Sequence, residues 1–203
     1  GFFPLRSGFT TGTCATAASK AALIALLTGE KQNSSTISLP SGEHITLPIT
    51  QTGIRKHSAT CTVVKDSGDD PDVTNGCTIN ATVAYSNQSG IQFLTGKGVG
   101  IVTLPGLGLE IGGPAINATP RKMIINELTL LYSGGLTVTI SVPEGEIIAQ
   151  RTFNPKLGVI GGISIIGTSG IVKPFSSDAF ISSIRKEIEA AKALGIEHLV
   201  INS

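Results

Sequence analysis

A chain of 203 residues buries roughly 70% of the surface it exposes when unfolded, so it needs neither a metal nor a disulfide framework to fold. Fifteen basic residues against fourteen acidic ones, with no tryptophan and two tyrosines, leave neither the electrostatic footprint nor the stacking platforms of a nucleic-acid binder. The three cysteines lie far apart without a CxxC pair, no run approaches ~18 consecutive apolar residues, and the first six residues lack the charged start and apolar run of a signal peptide, so a cytoplasmic protein off the membrane is expected.

The first periodic segment, from about Thr13 to Thr28, is alanine-rich, preceded by threonines that serve as N-caps and stopped by Gly29; it predicts a buried helix. Alternating apolar runs at Ile45–Ile49, Ala59–Lys65 and Thr78–Tyr85 predict an antiparallel sheet, with Ala59, Cys61 and Val63 on one face of the second strand and Ile79, Ala81, Val83 and Tyr85 on one face of the third. A second helix is expected from Thr119-Pro120, with Thr119 as N-cap and Pro120 at the first helical position, followed by a strand at Leu136–Val142. The last third differs: a glycine-rich apolar stretch, Leu157 to Val172, leads to a helix from about Ser177 to Leu194. Its stripe is Ile181, Ile184, Ile188 and Ala191, and Gly195 ends it. A strand at Ile196–Asn202 would normally feed another βα unit, so the pattern is expected to continue past Ser203. The expected class is α+β. An N-terminal mixed or antiparallel sheet with helices (residues 1–153) precedes the start of a smaller, Rossmann-like α/β portion (residues 154–203), with the boundary at Phe153-Asn154-Pro155.

Four stretches carry candidate chemistry. In the first, Arg6 to Ala18, the hydroxyls of Thr10, Thr11 and Thr13 open a helix whose free N–H groups and dipole suit a carboxylate or phosphate; ordinary capping is the bland alternative. Cys14 at that helix start invites a nucleophile reading, though a small buried residue is the commoner outcome there. The second, Lys65 to Gly76, sets four carboxylates (Asp66, Asp69, Asp70 and Asp72) within seven residues. Such crowding demands pairing or a cation, but the order is not that of an EF-hand and Pro71 interrupts it. Either this is a solvated turn, or one aspartate is a base or positions a cationic cofactor. The third runs from Gly96 through Asn117 to Arg121 and matches neither a P-loop nor a dinucleotide fingerprint; Arg121, just inside a helix, has the fork geometry to pair with a substrate carboxylate. The fourth, Asn154 to Pro174, ends an apolar strand in Gly167-Thr168-Ser169-Gly170, whose amides and hydroxyls suit the edge of a ligand crevice. The three histidines show no partner spacing, and no metal site is expected.

In this order the four stretches resemble the cobalt-precorrin-5B C1-methyltransferase family of anaerobic cobalamin biosynthesis, the CbiD type. The strings that carry the likeness are Gly8–Ala18, Lys65–Gly76, Pro114–Ile124 and Asn154–Pro174. Departures are Ala118-Thr119 where the family tends to have Pro-Val, and Ser169 where a second threonine is usual. The resemblance implies methyl transfer from S-adenosylmethionine, as co-substrate, to C1 of a cobalt-corrin precursor, with cobalt present only within the substrate. It implies substrate carboxylates at Thr10, Thr11, Thr13, Cys14, Asn117 and Arg121, the acidic residues Asp66, Asp69 and Asp70 as catalytic groups beside the same cleft, and the cofactor at Gly167–Gly170. Expected partners are that small-molecule substrate, a second copy of the chain or other enzymes of the pathway. Two other readings stay open: a small-molecule kinase with a hydroxyl-rich phosphate loop, and a tetrapyrrole-binding protein without catalysis.

Overall fold

The structure, a computed structural model, describes residues 5–174 and 177–198. The chain starts with the short strand β1 (Gly8–Phe9) and runs into the helix α1 (Thr11–Thr28). Twelve of the eighteen residues of α1 are alanine, glycine, serine or threonine, and it is buried on nearly every side. Small side chains explain both properties: they let backbones approach closely and give no single apolar face. Gly29, in the left-handed conformation, ends it by donating to the Ala25 carbonyl.

A hairpin of β2 (Ser34–Ser38) and β3 (His44–Pro48) follows, then β4 (Gln51–Ile54), β5 (Ser58–Val64), β6 (Thr78–Tyr85) and β7 (Ile91–Thr95). Two-residue strands β8 (Gly98–Val99) and β9 (Ile101–Val102) lead to α2 (Ala118–Thr129) and β10 (Leu136–Ser141). The main sheet has the order β4-β5-β6-β10-β7. All its pairs are antiparallel except β10 with β7, so the sheet is mixed. Parallel neighbours need a crossover, and α2 supplies it between β7 and β10. Ala59, Cys61 and Val63 of β5, Ile79, Ala81 and Val83 of β6 and Leu136, Val138 and Ile140 of β10 form the buried face against α1. Tyr85 ends its strand exposed and packs on Tyr132, ring centroids 5.6 Å apart.

The last described elements are α3 (Gly145–Ala149), a 3₁₀ turn (Asn154–Leu157), the short strands β11 (Val159–Ile160), β12 (Gly162–Ile163) and β13 (Ile171–Val172), and α4 (Ser177–Ala193). β11 pairs with β9, β12 with β8, and β13 with β1. The segment after Pro155 is therefore laced into the part before it, and the pairing crosses the boundary expected at Phe153–Pro155. The second helix also starts earlier than expected. Asn117, not Thr119, holds the N-cap position, and Pro120 sits third within the helix, where its missing N–H has no intrahelical partner to lose. In α4, Ile184 and Ile188 are half-buried and Ala191 buried, while Ile181 is exposed. Ile196–His198 are not in a strand, and the rest of the strand expected at Ile196–Asn202 lies outside the described residues.

Candidate functional site

The start of α1 is closed by its own chain. Thr10 is extended and its hydroxyl accepts from the Thr13 N–H at 3.1 Å, the capping bond expected of threonine. Thr13 Oγ1 donates to the Gly170 carbonyl at 2.8 Å, and the Thr11 hydroxyl accepts from the Ile166 N–H at 2.9 Å. The Thr10, Gly12 and Cys14 amides donate to the carbonyls of Gly170, Ile166 and Thr10. Thr11, Thr13 and Cys14 are buried. These groups bind the Ser164–Gly170 loop, leaving little for a phosphate, which removes the physical ground for the kinase reading. Burial, ahead of the other influences, pushes the Cys14 thiol up to about 12, far from a reactive thiolate.

Against β1 lies the acidic hairpin joining β5 to β6. Phe9 N–H donates to the Asp66 carbonyl at 2.8 Å and Asp69 N–H to the Arg6 carbonyl at 2.8 Å. The contact leaves room only for glycine. A Cβ on Gly8 would lie 2.0 Å from the Ser67 carbonyl carbon, and one on Gly68, at φ +65°, 2.2 Å from the Arg6 oxygen. The four carboxylates are not equivalent. Asp66 forms a two-pronged pair with the Arg6 guanidinium, at 2.6 and 3.0 Å, and also accepts from the Gly68 N–H. Its bond to Arg6 holds it below the ordinary aspartate range. The Asp69 carboxylate accepts from the Arg6 N–H. Asp72 binds the buried Lys65 ammonium at 3.0 Å and caps Thr74. Asp70 has no hydrogen-bond or ion-pair partner among the described residues, and burial, followed by repulsion from Asp72, raises its pKa.

The start of α2 is open. Asn117 reaches it in extended conformation, its N–H donating to the Ile165 carbonyl at 2.9 Å, while its side chain makes no capping bond. Among the described residues the amides of Ala118 and Thr119 have no acceptor, and neither do those of Gly167, Thr168, Ser169 and Gly170. Asn117–Pro120 and Gly167–Thr168, with Leu107–Leu109 opposite, line a cavity of about 310 Å³. Unpaired donors at a helix start beside an apolar wall suit a carboxylate on an apolar body. Arg121 does not line this cavity. Its Nε donates to the Ile116 carbonyl at 2.6 Å and an Nη to that of Pro114 at 3.1 Å, and its guanidinium lies 5.0 Å over the Phe93 ring. It thereby holds the segment that delivers Asn117 to the helix start.

The structure thus brings Asn117 and Gly167–Thr168, read from distant parts of the sequence, to one cavity. Asp66, Asp69 and Asp70 are not in its lining; they lie beyond β1. Three residues that sequence reasoning passed over organise the acidic hairpin: Arg6, Lys65, and Asn75, whose Oδ1 accepts from the Ser67 N–H. Lysine at the end of an apolar strand followed by clustered aspartates was the available signal for the second. Among the described residues no group of three His, Cys, Asp or Glu is gathered as a metal site, and no helix is long and apolar enough to cross a membrane.

Fold and cavity together define an α+β protein with a cleft lined by backbone donors that have no acceptor among the described residues. The family model of CbiD matches residues 2–174. The chain belongs to the CbiD family. It is 49% identical to a protein of Geobacillus kaustophilus and 52% identical to one of Geobacillus sp. (strain WCH70), each over 98% of this chain, and 49% identical to one of Pseudomonas fluorescens over 97% of it. All three are named cobalt-precorrin-5B C(1)-methyltransferase. The chain spans about 55% of the length of these relatives. The crystal structure of a cobalamin biosynthesis protein from Archaeoglobus fulgidus is similar at a TM-score of 0.65 and 35% identity, over 89% of this chain and 59% of that one.

Proposed function

We propose that this chain forms the substrate-gripping part of a methyltransferase that moves a methyl group from S-adenosylmethionine to C1 of cobalt-precorrin-5B, giving cobalt-precorrin-6A. The observation that carries the reading is family membership: relatives near half identity across this chain bear that activity in their names. The geometry supports it. The cavity accommodates one acidic arm of a large flat macrocycle, its carboxylate on the amides of Ala118 and Thr119 and its apolar stem against Leu107 and Leu109. Gly167 and Thr168 share that cavity, so the loop first read as the cofactor's bed serves the substrate arm as well.

In the reaction the ring carbon attacks the sulfonium methyl in line; the new C–C bond forms as the S–C bond breaks, and the pair from that bond stays on sulfur. Positioning is the main contribution, worth up to ~7–11 kcal/mol in well-oriented cases. Asp70, the carboxylate of the acidic hairpin without a hydrogen-bond or ion-pair partner among the described residues, is the one free to take up a cationic group such as the sulfonium from the far side of β1. The strands between Asn154 and α4 pair with the first part of the chain, which supports a boundary at α4 in place of the one read at Asn154. The test uses the full-length protein with cobalt-precorrin-5B and methyl-labelled S-adenosylmethionine. Label is expected in the corrin fraction and to be sharply reduced in Asp70→Asn; absence of transfer by the wild type refutes the assignment.

A further inference from the structure

β2 and β3 form a two-stranded ribbon apart from the main sheet, and such a ribbon leaves one edge of each strand without a mate. Its ladder ends with the Leu39 N–H donating to the Glu43 carbonyl at 2.8 Å, so by alternation the backbone groups of Ser35 and Ile37 face β3 while those of Thr36 and Ser38 face away. Side chains from two helices meet that free edge. Lys20 of α1 donates to the Thr36 carbonyl at 2.5 Å, and Glu127 of α2 accepts from the Ser38 N–H at 2.8 Å. The second Glu127 oxygen lies 3.2 Å from the Lys20 ammonium, which closes a ring of charge-assisted bonds through α1, β2 and α2. Glu127 is the one buried carboxylate among the described residues. A buried charge is tolerated only where its bonds are satisfied, and both oxygens of Glu127 have partners.

Leu39, the residue after this grip, is buried and reaches the Gly167–Gly170 loop. A Cβ on Gly170, at φ +79°, would lie 2.7 Å from Leu39 Cδ2 and 2.6 Å from Thr13 Oγ1, with Pro40 Cδ at 3.8 Å. Gly170 is therefore packed between the hairpin turn and the start of α1, to which its carbonyl is also bonded. The two walls of the cavity share one support. α2 carries the open amides at its start and Glu127 further along, while Gly170 rests on the turn whose strand Glu127 holds. We propose that Leu39 and Glu127 are positioning residues for the cleft: Leu39 seats the Gly167–Gly170 loop, and Glu127, with Lys20, ties that seat to the helix whose start forms the other wall. Neither residue lines the cavity; both act through the loop.

The positioning role rests on the substrate-arm reading of the cavity only for its binding measurement. In the full-length protein, uroporphyrin binding is titrated by fluorescence. Deuterium uptake by the segment from Gly8 to Thr13, whose Thr10 and Gly12 amides are held by the Gly170 and Ile166 carbonyls, is followed by mass spectrometry. Leu39→Ala removes the contact with Gly170, and Glu127→Gln removes the charge that pairs with Lys20. Leu47→Ala, a buried site across from Ser35 at the end of the hairpin away from its turn, lowers stability alone. Binding about tenfold weaker with faster uptake is expected in Leu39→Ala, and about threefold weaker in Glu127→Gln, while Leu47→Ala unfolds earlier in urea at wild-type affinity and uptake. Leu39→Val, which keeps most of the core filled, carries the same test where Leu39→Ala does not fold. Wild-type affinity and uptake in a folded Leu39 variant or in Glu127→Gln, or an equal loss in Leu47→Ala, overturns the proposal. A wild type that does not bind uroporphyrin refutes the substrate-arm reading, and the uptake of the variants then decides the positioning role by itself.

Discussion

The starts of α1 and α2 look alike in sequence and differ in what reaches them. Both offer threonine near a helix start beside glycine-rich chain, and both have the positive end of a helix dipole. At α1 the Ser164–Gly170 loop delivers the carbonyls of Ile166 and Gly170, which take up the amides and the Thr13 hydroxyl. At α2 no such acceptor arrives among the described residues, and the amides of Ala118 and Thr119 keep open valences toward a cavity. A helix terminus becomes a ligand site only when the fold withholds its own acceptors. The same loop does both jobs, satisfying α1 with its carbonyls and leaving its amides toward the cavity of α2.

The contrast can be broken from either side. The largest effect is expected from Gly12→Val. A Cβ there would sit 2.6 Å from Pro120 Cγ and 2.9 Å from the Ile166 oxygen, where the two helix starts meet. Overpacking of this kind places the loss near 3 kcal/mol in urea unfolding. Thr13→Val keeps the shape of the side chain but removes one of the two hydrogen bonds on the buried Gly170 carbonyl, leaving it the Thr10 N–H alone, so about 1 kcal/mol of stability is expected to go without a change in the far-ultraviolet circular dichroism spectrum. Ala118→Asp separates binding from folding. A carboxylate in the first turn favours the helix by a few tenths of a kcal/mol yet repels an acidic ligand, so unfolding should be unchanged while a flat polycarboxylate probe such as uroporphyrin binds about tenfold more weakly in a fluorescence titration. If that variant binds as the wild type does, the open helix start is not the grip. The smallest effect belongs to Arg6→Ala. Because Asp66 is held below its ordinary value, its pair with Arg6 contributes stability above the unfolded value near ~4 and loses it as pH falls through the lowered folded value. Wild type and variant should therefore differ slightly at neutral pH in thermal melts and converge in acid.

Strong periodicity was readable. α1, β5, β6 and β10 lie within a residue or two of their expected positions because each buries a continuous face. β2, β4 and β7 were not anticipated, since Ser34–Ser38 and Gln51–Ile54 are polar edge segments without alternation, and Ile91–Thr95 is placed by β10 rather than by its own pattern. The cavity was half legible. Asn117 and the Gly167–Gly170 loop stood out by composition, but that they meet depends on the bridge between Ile116 and Ile165, about fifty positions apart in the chain, which no local signal encodes. The threonines of the first motif misled for the same reason: a hydroxyl awaiting a ligand and one awaiting a distant carbonyl read identically.

The pairing of β1 with β13 couples residues 8–9 to residues 171–172, and this has a consequence for biosynthesis. At ~5–20 residues per second, the partner of the first helix start emerges roughly 10–30 s after it. During that interval the amides of Thr10 and Gly12 lack the carbonyls of Gly170 and Ile166, and the alanine-rich helix has only the early strands to shelter it. The final clasp closes a loop of more than 150 residues, so native packing of the amino-terminal segment should be among the last events of folding, and a ribosome-stalled chain ending before β13 should show α1 open to hydrogen exchange.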